Sequence, residues 1–346
     1  MSKLDSLMVD GPDDIRAAFD DFYRRGWTDG LPVIPPREEY VREMLEVNGV
    51  QPDEVIAELA PAGAPATVEN IATNAVMAGC RNEYLPVLIA AVRAIADPRF
   101  SLLWVQATTN PATPFLVING PVRHKLDVNC GGGALGPGWR ANATIGRAIR
   151  LIMLNIGGGK PRETDKAVLG QPGKYTFCLG ELEEESPWDP LHVERGFRRE
   201  ESAVTVFGVQ GTTSVRTPYL KPESILMVVA NAMSAYGTNS YTNSTGNPVV
   251  IFAPGHARLF HAAGWSKSRI KEWLFEETRI PLSLLPKEPS QLGPRTPRIS
   301  DGCKFICQTP EDIMIIVAGS PEPYHMTYVP SAGETRMATQ PVGTGN

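Results

Sequence analysis

The densest chemical signal in the chain is Asn129-Cys-Gly-Gly-Gly-Ala-Leu-Gly-Pro-Gly-Trp-Arg-Ala-Asn142, a glycine-rich run that opens a helix. Glycines let backbone N–H groups approach a ligand, and a helix N-terminus favours an anion. Gly131, Gly132, Gly133 and Asn142 are therefore read as substrate contacts, with Arg140 and Arg147 as a bidentate grip on a carboxylate. No Lys-Ser/Thr follows the glycines, and their spacing does not match a dinucleotide fingerprint, so a nucleotide cofactor has no motif behind it. Cys130 lies inside the loop, where helix end and arginines would lower its pKa and make a thiolate nucleophile. His124, six residues earlier, is the base for that thiol. The plainer alternatives are a structural turn and an inert buried thiol.

A second group of ionisable side chains runs from Glu181 to Arg195 around Ser186-Pro-Trp-Asp-Pro190. Glu183, Glu184 and Glu185 read as a solvated face. Trp188 beside carboxylates would raise a pKa and make a general acid, and Glu181, His192 and Glu194 are the better candidates, because the Pro-Trp-Asp-Pro turn fixes their backbone. His256 stands at a helix entry after a strand and is a further catalytic candidate, while His261 reads as surface. Glu181 and His192 with His124 or His256 would also make a divalent-metal site, although no compact ligand motif appears. Asp29, in a Pro-rich segment, is placed to reach a cleft; an exposed turn aspartate is the commoner case. Cys303-x-x-x-Cys307 matches neither a zinc knuckle nor a redox pair and reads as core.

The elements that must position these residues follow from periodicity and breakers. Helices are expected at 13–25, 38–46, 67–79, 84–96, 142–155, 222–236, 255–263 and 266–277. Strands are expected at 102–107, 115–118, 203–209, 249–252 and 313–317, with a short apolar piece at 175–179. Three strands end in a Gly/Pro turn and reach a histidine, His124, His256 and His325, which suggests strand ends sharing one cleft. The fold expectation is α/β, with a mixed α+β arrangement as the variant: two αβ lobes around a shared cleft. A helical and Pro-rich arm occupies 1–60, the lobes 61–200 and 201–330, and a polar mobile tail 331–346.

With 33 basic and 38 acidic residues, the net charge of −5 argues against phosphate-backbone binding, so no nucleic-acid partner is expected. No apolar run reaches the ~18 residues of a membrane span, and no signal peptide is evident. The five scattered cysteines suit thiols in a reducing cytoplasm. The 31 prolines and 32 glycines stay below the roughly 25–30% that marks low complexity, so ordered turns are expected.

Trp27-Thr-Asp-Gly-Leu-Pro-Val-Ile-Pro-Pro36, Asn74–Cys80, Gly136–Arg147 and Pro172–Glu181 with Ser186-Pro-Trp188 together resemble a bacterial family associated with UGSC-motif (seleno)proteins. The resemblance spans residues 20–275 and implies an enzyme-like cytoplasmic protein of thiol or selenol redox character. This chain has neither Cys-Gly-Ser-Cys nor selenocysteine, so no catalytic residue carries over.

The leading expectation is an enzyme acting on a small carboxylate-type molecule by thiol or acid–base chemistry, of hydrolase or lyase type. A metal-dependent enzyme is the second. A non-catalytic subunit or partner of a thiol/selenol redox system is the third, with Pro-rich segments 27–36 and 279–298 wrapping another chain, in a homo-oligomer or hetero-complex.

Overall fold

A computed structural model describes residue 4 and residues 9–288 and 297–343. Part of the expected Pro-rich segment 279–298 lies outside these described residues. In chain order the helices are α1 (Ile15–Arg25), α2 (Glu38–Asn48), α3 (Val68–Ala78), α4 (Leu85–Ala96), α5 (Leu102–Gln106), α6 (Val122–Lys125), α7 (Arg140–Asn155), α8 (Leu191–Glu194), α9 (Pro222–Met233), α10 (Ser240–Asn243), α11 (Pro254–Ala262) and α12 (Lys267–Glu277). The strands are β1 (Val55–Leu59), β2 (Ala64–Thr67), β3 (Thr113–Asn119), β4 (Cys178–Gly180), β5 (Ala203–Val209), β6 (Thr213–Arg216), β7 (Val249–Phe252), β8 (Ile280–Pro281), β9 (Ile299–Ser300), β10 (Cys303–Lys304), β11 (Met314–Val317), β12 (His325–Val329) and β13 (Ala338–Pro341).

The fold is mixed α/β, built on two four-stranded sheets ordered β13-β5-β3-β4 and β11-β7-β12-β6. Side-chain alternation explains the layering. On β3, Phe115 and Val117 face one core, while Leu116 and Ile118 face another with α3, α4 and α7. On β7, Val249 and Ile251 join Phe115 and Val117, while Val250 and Phe252 pack under α9 and α12. The two sheets thus share a central core and each carries helices on its outer face. Their corners are stitched by Asn129–Gly131: Gly180 donates to the Asn129 carbonyl at 3.2 Å, and Gly319 donates to the Cys130 carbonyl at 2.9 Å.

Helix ends follow local chemistry. Thr67 caps α3 by accepting from the Asn70 amide, and Gly79 ends it in a left-handed conformation. The N-terminal arm crosses α7 through one ion pair. Arg147 donates to both carboxylate oxygens of Asp29, at 2.8 and 2.9 Å, and to the carbonyls of Leu31 and Pro32.

Several expectations are corrected. Residues 102–107 are not a strand. Leu102, Val105 and Gln106 are buried at helical spacing while Leu103 is exposed, and α5 results. Helix α7 starts at Arg140 rather than Asn142, directly after Trp139, whose backbone is extended. The tail beyond Pro330 supplies β13, which pairs antiparallel with β5. A boundary at residue 200 does not separate the sheets, since β5 and β13 complete the first one.

Removing Arg147 would strand the Asp29 carboxylate, whose side chain is only 3% exposed. Arg147→Ala is expected to lose about 3 kcal/mol of unfolding free energy, the usual result of orphaning a buried charge. Urea titration checks this; a loss indistinguishable from a surface Arg→Ala control would show that the pair does not hold the arm.

Candidate functional site

The glycine-rich loop is shaped by one side chain. Asn142, buried at the start of α7, donates to the carbonyls of Asn129 (2.9 Å), Ala134 (3.1 Å) and Cys178 (3.3 Å), and its oxygen accepts from the Asn129 amide at 2.8 Å. Helix, loop and β4 are thereby held in one register. Gly132 and Gly180 are required for close approach. A Cβ at Gly132 would lie 2.8 Å from the Ser320 hydroxyl, and one at Gly180 would lie 2.4 Å from the Cys130 sulfur.

Asn142 is therefore an organiser of the loop rather than an exposed ligand contact. Arg140 donates to the Gly79 carbonyl at 2.9 Å, and Arg147 and Asp29 are spent on each other. These arginines build the scaffold; the expected bidentate grip on a substrate is not formed by them.

Cys130 and Glu181 meet at Arg123, a residue without a recognisable motif, while His124 reaches that guanidinium only through Glu184. The Arg123 guanidinium, buried, lies 3.7 Å from the Cys130 sulfur and donates to the Glu181 carbonyl at 2.6 Å. It also pairs with Glu183 at 3.1 Å and with Glu184 at 2.9 Å. His124 meets the same Glu184 at 2.8 Å. The hydrogen bond from Arg123 holds the Glu184 carboxyl at about 2. His124 is thus tied to Glu184 at the surface and is not the partner of Cys130. Burial pushes the Cys130 thiol up, with Arg123 opposing, so the thiol form is favoured over the expected thiolate. The Cys130 hydrogen bond goes to its neighbour's carbonyl, Val128, at 3.3 Å.

Glu181 is wholly buried. Its Oε2 accepts from the Asn119 amide group at 2.7 Å and the Leu191 backbone at 2.8 Å, and burial raises its pKa. His256 is separate from all three. It packs 6.2 Å from the Phe252 ring, beside the Pro323 backbone, and neither ring nitrogen has a well-formed hydrogen bond. Among the described residues no three His, Cys, Asp or Glu side chains converge as a metal site requires, which corrects the proposed histidine–carboxylate set.

The open space lies on the other side of the glycine loop. A cavity of about 540 Å³ is bounded by Gly133–Gly136 on one wall and by Ser320, Glu322, Tyr324 and His325 on the other. Its floor is Leu179, Ile251 and Ala318, residues of the core between the sheets. The Gly133 and Leu135 amides donate to no acceptor among the described residues. The side chains of Glu322, Tyr324 and His325 likewise make no hydrogen bond to a described residue. A loop wall with two unengaged amides, three exposed titratable side chains without a described partner and an apolar floor together can bind a small polar-headed molecule and move protons on it.

Sequence reasoning passed over Glu322, Tyr324 and Ser320, and named His325 only as the third strand-end histidine. That echo was the available signal. Parallel pairing of β7 with β11 brings Ala253 and Ala318 to one cavity, whereas β3 sends His124 to another face. No family model, no curated protein and no solved structure matches the chain.

Burial lowers the His256 pKa from its ordinary 6.5 to about 4, with a smaller opposing pull from the Pro323 backbone and a further downward push from His325. A folded-state pKa below the unfolded one means that the unfolded chain takes up the proton first. The stabilisation is complete above pH 6.5 and drains as pH falls towards 4. Between pH 7 and 4.5, wild type should lose about 2 kcal/mol more unfolding free energy than His256→Gln. Urea titrations across that range check it; parallel pH profiles would show that His256 is not buried as a neutral ring.

Proposed function

We propose that the protein is an enzyme that binds a small organic acid in the cavity beside Gly133–Gly136 and acts on it by acid–base chemistry of the hydrolase or lyase type. The observation that carries this reading is the pairing of unengaged loop amides with unengaged Glu322, Tyr324 and His325 across one cavity. The loop amides and a His325 N–H donate to one carboxylate. The apolar floor covers its hydrocarbon part. Glu322 and Tyr324 stand beside it as proton acceptor and donor.

The cavity lining holds no arginine or lysine. A ligand with several negative charges would find too little compensation there, so the reading is for a single carboxylate. Thiol chemistry is disfavoured, because the Cys130 sulfur is buried and its pKa is raised. The free state of all five cysteines supports the cytoplasmic setting expected earlier. Among the described residues no helix is long and apolar enough to cross a membrane.

Titration calorimetry with acetate, propanoate, butanoate and benzoate tests this. Affinity should rise about fourfold per added CH₂ as the floor covers it, following ~0.8 kcal/mol per buried methylene. Ser320→Trp should abolish binding by filling the cavity, and His325→Gln should weaken it at least about tenfold. His261→Gln, exposed on α11, should bind as wild type. Equal binding by wild type and Ser320→Trp, or none by wild type, would overturn the reading.

A further inference from the structure

A second polar centre lies at the carboxyl ends of the parallel strands β3 and β4, formed by residues that do not line the cavity. Asn119, Glu181 and His192 have no exposed surface at all. Glu181 Oε2 is saturated, but Oε1 has no hydrogen-bond partner, nor do Asn119 Oδ1 and both ring nitrogens of His192. The nearest cation, Lys267 at the start of α12, holds its Nζ 4.0 Å from Glu181 Oε1, too far for a direct hydrogen bond. Lys267 already donates to the Asp189 carbonyl at 2.7 Å and pairs with Glu194 at 2.7 Å, which leaves one N–H. His192 Nδ1 stands 3.9 Å from Glu183 Oε1, again beyond direct contact.

Orphaned buried groups of this kind cost ~1–3 kcal/mol each. Four in one place are not sustained without a partner. They converge, because Asn119 Nδ2 bridges Glu181 at 2.7 Å and Glu183 at 3.0 Å, and Leu191, beside His192, binds the same Glu181. A metal cation is a poor occupant. The Lys267 ammonium and the Arg123 guanidinium already flank the carboxylates.

Counting donors and acceptors identifies a better one. With Glu181 ionised, the unfilled acceptors are Asn119 Oδ1, Glu181 Oε1 and one His192 nitrogen. The unfilled donors are the other His192 nitrogen and the third Lys267 N–H. Two water molecules hydrogen-bonded to each other keep three hydrogens and three lone pairs free, which satisfies all five groups. If Glu181 is protonated, one acceptor becomes a donor and the same pair still satisfies the set by turning over.

We propose that Asn119, Glu181, His192 and Lys267 enclose a pair of ordered waters that joins the ends of β3 and β4 to α12. The pair is a structural ligand at the seam between the two αβ halves. It lets Glu181 change protonation state without losing its partners.

A crystal structure at high resolution, with magnetic relaxation dispersion counting long-lived waters in solution, tests this. Two density peaks are expected about 2.6–3.2 Å from Glu181 Oε1, Lys267 Nζ and His192. Glu181→Gln should keep both waters, since its NH2 at the Oε1 position donates to them as a protonated carboxyl would. His192→Phe should show two fewer long-lived waters than wild type; should that variant not fold, wild-type density decides. An anomalous metal peak, a dry void, or side chains turned to pair directly would overturn the proposal. So would equal water counts in wild type and a folded His192→Phe.

Discussion

The architecture turns on the four hydrogen bonds of Asn142. A loop rich in glycine has little to hold its shape, because it carries few side chains to pack and loses much backbone entropy on ordering. Here a single buried amide supplies both donors and acceptor. It ties residues 129 and 134 to the first turn of α7 and to the β4 carbonyl at Cys178. Once that tie is made, Asn129–Gly131 can bridge Gly180 of one sheet to Gly319, which follows the other. The cavity exists because the loop then has a fixed wall to present.

The same loop separates two polar worlds. On the inner side, Arg123 neutralises Glu183 and Glu184 and quiets Cys130, and Glu181 is buried with Asn119. Arg123, Asn119 and Glu181 are closed off from solvent, and their contacts are internal. On the cavity side, Glu322, Tyr324 and His325 are unpaired and face an apolar floor. Availability, rather than the density of ionisable residues along the chain, is what separates the two. The acidic run 183–185 illustrates it. It reads as a solvated face, yet Glu183 is buried by Arg123, Asn119 and the Gly120 amide.

Much of the fold was legible because it rests on local chemistry. Thr67 and Gly79 bound α3 by capping and left-handed backbone, and β5 alternates within its own seven residues. Other features depend on distant partners. β13 carries only Ala338 into the core and meets Thr205 through Thr339, so its polar sequence resembles a tail. Leu102–Gln106 is too short for two periods to be told apart. At the site, residue types were readable and directions were not. Arg147 looked like an anion grip, but its partner Asp29 lies 118 positions earlier. Glu181 stood out by its place beside the Pro-Trp-Asp-Pro turn, but its complete burial depends on Asn119 and Leu191, which the local sequence does not show.

The central claim is that the Asn142-braced loop presents free backbone amides to a bound carboxylate. The most direct measurement is backbone NMR of the ¹⁵N-labelled protein during a butanoate titration. The Gly133 and Leu135 amide protons should shift downfield and saturate together, with neighbouring Ser320 and His325 signals moving in step. Saturable shifts confined to other surfaces, with those two amides unmoved, would contradict the account.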